Sequence, residues 1–77
     1  VLSRRRFELT HSTLALSREP SGQQKWLNVP AGARIYVISG PNTGEDEKMV
    51  RVRWEGRQLA MFAIDVTSDG IEVYEKN

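Results

Sequence analysis

The residues best placed to do chemistry are arginines and aromatics. Arg51 and Arg53 alternate with Val50, Val52 and Trp54 in Met49–Trp54, a stretch of strict period two. In an extended chain at ~3.4 Å per residue, the two guanidinium groups leave one face about 7 Å apart. Arg57 follows in the adjoining turn, and Arg4-Arg5-Arg6 stands near the start. Small β domains hold nucleic acid when cations track phosphates and aromatics, here Tyr36 and Trp54, stack bases. Against that, 11 Lys and Arg are matched by 10 Asp and Glu. Arginines on the outer face of a strand ordinarily form a solvated surface. Nucleic-acid binding through Arg51, Arg53, Arg57 and rim aromatics is therefore the alternative reading and not the first.

Catalytic constellations are poor. His11 beside Ser12 suggests a nucleophile pair, but nothing supplies an orienting third group, and neighbours in a strand point to opposite faces. Asp65 and Asp69 flank a turn, where Asp65 is most simply a cap. With one His and no Cys, there is no thiolate site and no His–His metal spacing. Gly40-Pro41-Asn42-Thr43-Gly44 lacks the Lys-Ser/Thr that a phosphate-binding loop needs, and Glu45-Asp46-Glu47 would repel the phosphate. That acidic triplet is also a poor calcium site, because calcium loops draw ligands from alternate positions. The chain is expected to be no enzyme, to hold no metal and to need no cofactor.

The elements that must position these residues read as strands. Residues 1–6 form a basic lead-in expected to fray. Phe7–Thr10 and Thr13–Leu16 alternate as one or two β-segments, with a helix as the weaker option, and Glu19–Gln24 is a loop. Trp26–Val29 is a short apolar patch ended by the turn Pro30-Ala31-Gly32. Arg34–Ile38 is rich in β-branched and aromatic residues, hence a strand. After Gly40–Lys48 comes Met49–Trp54, then a tight hairpin at either Gly56-Arg57 or Glu55-Gly56. Either register puts Val50 and Val52 on one face with Leu59, Met61 and Ala63, and leaves Phe62 and Ile64 opposite. A bend or bulge in this strand, burying both faces, would resolve the conflict. Asp65–Gly70 is a turn before a last strand, Ile71–Tyr74. The count is five or six short strands with no amphipathic helix, which indicates an all-β barrel or sandwich.

Two stretches carry a family likeness. Val29-Pro30-Ala31-Gly32-Ala33-Arg34-Ile35-Tyr36-Val37-Ile38 is similar to a bacterial pattern in which V/L-P-x-G-x-K/R precedes an alternating strand. Val52-Arg53-Trp54-Glu55-Gly56-Arg57-Gln58 looks like the strand and G-R-x hairpin that follow it. Over about residues 29–74 the chain thus resembles the Src-homology-3-like small barrel in its bacterial form. The resemblance implies a five- or six-stranded barrel with 29–74 as its core, and a binding module in place of a catalyst. It departs where the family's hairpin is followed by Gly-Trp-Val, because Leu59, Ala60 and Met61 stand there. The tyrosine motif of the peptide-binding loop is absent too. The fold is carried over and the polyproline-peptide site is not.

Composition sets the limits. At 77 residues the chain is one domain at most. Leu, Ile, Val and Phe make up about a quarter of it, and with a net charge of +1 it should fold. A core this small, without a disulfide to staple it, is marginal, and closing the sheet into a barrel would reduce exposed edges. The longest apolar run, Leu59–Ile64, is too short for a membrane span, and no apolar stretch follows the three arginines as in a signal peptide. The cytoplasm is the default compartment. The start at Val1 is read as a processed terminus or as one domain of a longer protein.

The expected core is Ile35, Val37, Val50, Val52, Trp54, Met61 and Val66. Apolar residues left over after that core is filled point to a protein partner or a second copy. The candidate contacts are Trp26, Leu59, Met61 and Phe62, with Arg51, Arg53 and Arg57 beside them and the loops Pro20–Trp26 and Gly40–Lys48 around them. The plainer alternative is a bent strand covered on its outer side by residues 7–16.

Overall fold

The computed structural model describes residues 2–41 and 48–74. The chain runs β1 (Arg6–Leu9), β2 (Thr13–Arg18), β3 (Gln24–Val29), β4 (Arg34–Ser39), β5 (Met49–Trp54), β6 (Arg57–Phe62), α1 (Ala63–Asp69) and β7 (Gly70–Val73). All strand pairings are antiparallel. The seven strands form one sheet in the order β3-β2-β6-β5-β4-β1-β7. The all-β reading holds, with two corrections. There are seven strands and not five or six, because Trp26–Val29 is the end of a full strand paired with β2. The sheet is open and not a closed barrel, since β3 and β7 are not paired with each other.

Alternation builds the core. Phe7 and Leu9, Ile35 and Val37, Val50 and Val52, and Leu59 and Met61 all turn to one face, joined by Ala15, Val29 and Val66. Cross-strand pairs lock them in register: Phe7 with Ile35, Val37 with Val52, Val52 with Leu59 and Val50 with Met61. Val29 of edge strand β3 and Phe7 of β1, near the other edge, belong to the same buried cluster. The sheet therefore curls over its own apolar face, as a twisted antiparallel sheet can. Of the expected core only Trp54 differs. It is half-buried and packs against the cluster from beside the hairpin.

Local chemistry accounts for the turns. The β5–β6 hairpin uses Glu55-Gly56, with φ of 50° and 75°, and Trp54 pairs with Arg57. Two positive φ values make a type I′ turn, whose twist suits the flanking strands. The bulge lies in β4, where the register shifts between Val37 and Ser39. It is not in Leu59–Ile64. That run instead breaks at Phe62, and Ala63–Asp69 is a short helix where no helix was expected. Asp65 sits in its first turn, where a carboxylate complements the helix dipole. Thr67 and Ser68 hydroxyls donate back to the Ala63 and Ile64 carbonyls. The helix stops at Gly70, so close to β1 that a Cβ would meet the Val66 carbonyl oxygen at 2.5 Å and the Phe7 Cβ at 3.2 Å.

The expected fraying of the lead-in is not seen over its described residues: Leu2 packs against the core, and Arg4 and Arg5 bond to β4. The Arg4 N–H donates to the Val37 carbonyl (2.7 Å) and the Val37 N–H to the Arg5 carbonyl (2.9 Å), extending the β1–β4 ladder backwards. Asn42–Glu47, including the acidic triplet, lies outside the described residues. Among those described, no helix is long and apolar enough to cross a membrane.

Candidate functional site

The outer face of the sheet divides into an apolar end and a basic end. Direct cross-strand partners share a face, so the register spells the layout. Trp26, Leu16, Ala60, Arg51 and Ser39 form one row across β3, β2, β6, β5 and β4. On one side of this row lie Leu14 on β2 and the Met49–Phe62 pair of β5 and β6. On the other lie Arg18, then Gln58 paired with Arg53, Arg53 with Tyr36, and Tyr36 with Arg6.

At the apolar end, Trp26 and Phe62 stack with ring centroids 6.1 Å apart and an interplanar angle of 15°. Their strands flank β2 and so stand about 9.5 Å apart at the usual strand spacing. The rings therefore lean towards each other over β2. They remain in the open: Trp26 is 49% exposed, Phe62 38% and neighbouring Leu14 55%. A groove of about 560 Å³ adjoins the patch, lined among others by Leu16, Met49, Ala60, Arg18 and Arg51.

At the basic end, the Arg6 guanidinium lies over the Tyr36 ring, 5.0 Å from its centroid. Arg53, Tyr36 and Arg6 share a second concavity of about 340 Å³. Some of the positive charge is already answered. Arg34 pairs with Glu8 at 3.2 Å and Arg5 with Glu72 at 3.5 Å. Among the described residues, Arg18, Arg51 and Arg53 have no carboxylate within 4 Å.

The candidate residues thus separate. Trp26, Phe62, Arg51 and Arg53 lie on one surface. Leu59 and Met61 do not, being 3% and 0% exposed within the core. The two-sided apolar strand is real, but its inner side is the core itself. Arg57 is also elsewhere. It stands opposite Trp54 at the hairpin, on the core-facing side, and its Nη2 donates to the Ser17 hydroxyl at 3.5 Å. Residues 7–16 do not lie over β6. They place β2 beside it, with Leu16 opposite Ala60, so among the described residues nothing lies over the outer face of β6. Of the loop Pro20–Trp26, only the first part is loop. Gln24–Trp26 belongs to β3, and the hairpin closes through Glu19 and Gln23.

Leu14 was missed as part of this surface. Its alternation with buried Thr13 and Ala15 was the available signal. Among the described residues no hydrogen bond joins His11 to Ser12; the His11 Nδ1 lies instead 3.0 Å from the Thr10 hydroxyl. Asp69 serves the fold: its carboxylate accepts from Thr13, and its carbonyl accepts from the amide and hydroxyl of Thr10.

The fold and this surface together define an all-β domain on one open antiparallel sheet, with a half-apolar, half-basic outer face. The chain matches no family model, no curated protein and no solved structure.

Proposed function

We propose that this domain is a non-catalytic binding module that docks a protein partner on its Trp26–Phe62 face. One observation carries the reading. Among the described residues eleven buried apolar side chains fill the core, yet two large aromatics and Leu14 stand together in the open. Contiguous exposed apolar surface of this kind marks interaction sites, and Trp is a preferred anchor in them. Arg18 and Arg51 at its margin, which have no carboxylate within 4 Å among the described residues, would steer a partner carrying acidic residues. The Src-homology-3-like resemblance belongs to the same proposal. It is supported by the succession β4, β5, tight hairpin, β6 and β7, which follows the strand order of the likeness, with α1 standing where the likeness has a short turn. A cytoplasmic setting is proposed with it.

The test is site-specific crosslinking. A photoreactive residue at Leu14, in the full natural chain within its own cells, should give one dominant protein adduct. Phe62→Asp should abolish that adduct while the domain stays folded. An adduct pattern indifferent to Phe62→Asp would overturn the reading.

The Arg6–Tyr36–Arg53 corner favours a second reading, nucleic-acid binding, since it sets cations beside an aromatic ring. It ranks below the first because Arg5 and Arg34 nearby are already paired with carboxylates. Oligonucleotide titrations at low and moderate salt decide it. Phosphate contacts require a steep fall in affinity as salt rises, and no binding at low salt removes the reading.

A further inference from the structure

The sheet is open, and its two edges differ. Strand β7 is four residues long and β3 is six. Short edge strands are poor templates for another chain, whereas long flat ones invite it. Among the described residues, strand β3 pairs only with β2. Among the described residues, no main-chain bond reaches its far side.

The hairpin fixes which groups face outward. The Glu19 N–H donates to the Gln23 carbonyl at 2.7 Å, and the register then runs without a break from Arg18–Gln24 to Thr13–Val29. Antiparallel ladders alternate bonded and non-bonded pairs. Lys25, Leu27 and Val29 therefore turn their N–H and C=O groups to β2. Gln24, Trp26 and Asn28 turn theirs away from the sheet.

From this edge we infer that two copies of the chain associate by antiparallel pairing of β3 with β3 about a two-fold axis at Trp26. A closed, isologous contact needs a self-complementary register, and only a few are available. An axis at Lys25 sets Lys25 against its own copy, like charge on like charge. An axis at Leu27 pairs Gln24 with Pro30, which has no N–H to give. The axis at Trp26 pairs Gln24 with Asn28, amide with amide, on either side of the two indoles. Lys25 then stands opposite Leu27. All three outward-facing residues are used, and the strands exchange up to about six main-chain hydrogen bonds. With a net charge of +1, the two copies repel each other little. This contact extends the sheet through the outward main-chain groups of β3; it shares Trp26 with the partner face proposed above but uses that residue's backbone and not its ring.

The test compares oligomeric state by sedimentation with amide exchange in the unmodified chain. A dimer is expected, with the amides of Gln24, Trp26 and Asn28 protected at high protein concentration and exposed on dilution. Those of Lys25 and Leu27 should stay protected throughout. Asn28→Pro removes an outward N–H and no internal bond, as edge strands tolerate. It should yield a folded monomer. Ile71→Asp, at an exposed position on the opposite edge strand β7, should leave the dimer intact. A monomer at every concentration overturns the inference, as does free exchange of those three amides at high concentration. A dimer that survives in folded Asn28→Pro overturns it equally.

Discussion

Trp26 and Phe62 stack across an intervening strand, 6.1 Å between centroids and 15° between planes. The pair ties edge strand β3 to β6 over the backbone of β2. This matters because β2 and β6 share a single register pair, Leu16 with Ala60, where β5 and β6 share six. Aromatic pairs in this distance range contribute about 0.5–1.5 kcal/mol beyond their buried area. A double-mutant cycle of Trp26→Leu and Phe62→Leu should return a coupling of that size, read from urea denaturation. Two purely additive losses would mean that the rings only share a neighbourhood.

Gly70 is held by contact. Its φ of −115° suits any residue, but a Cβ would lie 2.5 Å from the Val66 carbonyl oxygen. Backbone cannot yield as a flexible side chain can, so α1 would have to move off β1 and β7. Gly70→Ala should lower stability by about 1–3 kcal/mol, the range for overpacking. Circular dichroism melts check this. An unchanged midpoint would show that the helix re-seats freely.

The alternation of Ile35 and Val37, and of Val50 and Val52, made the central strands legible, because period two fixes both the element and its buried face. Trp26 was legible as an exposed contact from its place beside a loop. The helix was not legible: Ala63–Asp69 is seven residues with one buried side chain, Val66, too short for a 3.6-residue period to show. The open sheet and the Trp26–Phe62 stack were hidden for another reason. Both depend on β2 settling beside β6, a pairing of segments distant in sequence that local patterns do not encode. The misplacing of Leu59 and Met61 on the binding surface has no such cause. The hairpin register alone already set Leu59 and Met61 on the buried Val50–Val52 face; only Phe62, on the other side, was free to serve a surface.

Glu55 takes φ of 50°, a left-handed conformation that costs a non-glycine residue roughly 1–2 kcal/mol and is easier for Asn. Asn-Gly is the preferred pair for a type I′ hairpin. Glu55→Asn should therefore stabilise the domain by about 0.5–1 kcal/mol, with the Trp54–Arg57 pairing retained. Thermal unfolding gives the sign, and a loss of stability would mean that the Glu55 side chain contributes more than its backbone strain costs.

Met61 and Phe62 are neighbours with opposite roles, and the contrast separates core from surface. Met61 is fully buried among Val50, Val52 and Val66, whereas Phe62 is 38% exposed. Met61→Ala leaves a cavity and should cost about 2–5 kcal/mol. In a domain whose whole stability is small, this can unfold much of the population. Phe62→Ala removes one half of an open stack and should cost no more than about 1–2 kcal/mol. The order of the two denaturation midpoints is the decisive measurement. If Phe62→Ala proved the more damaging, the stack would be structural, closing β3 against β6, and the open aromatic face would lose its standing as a docking surface.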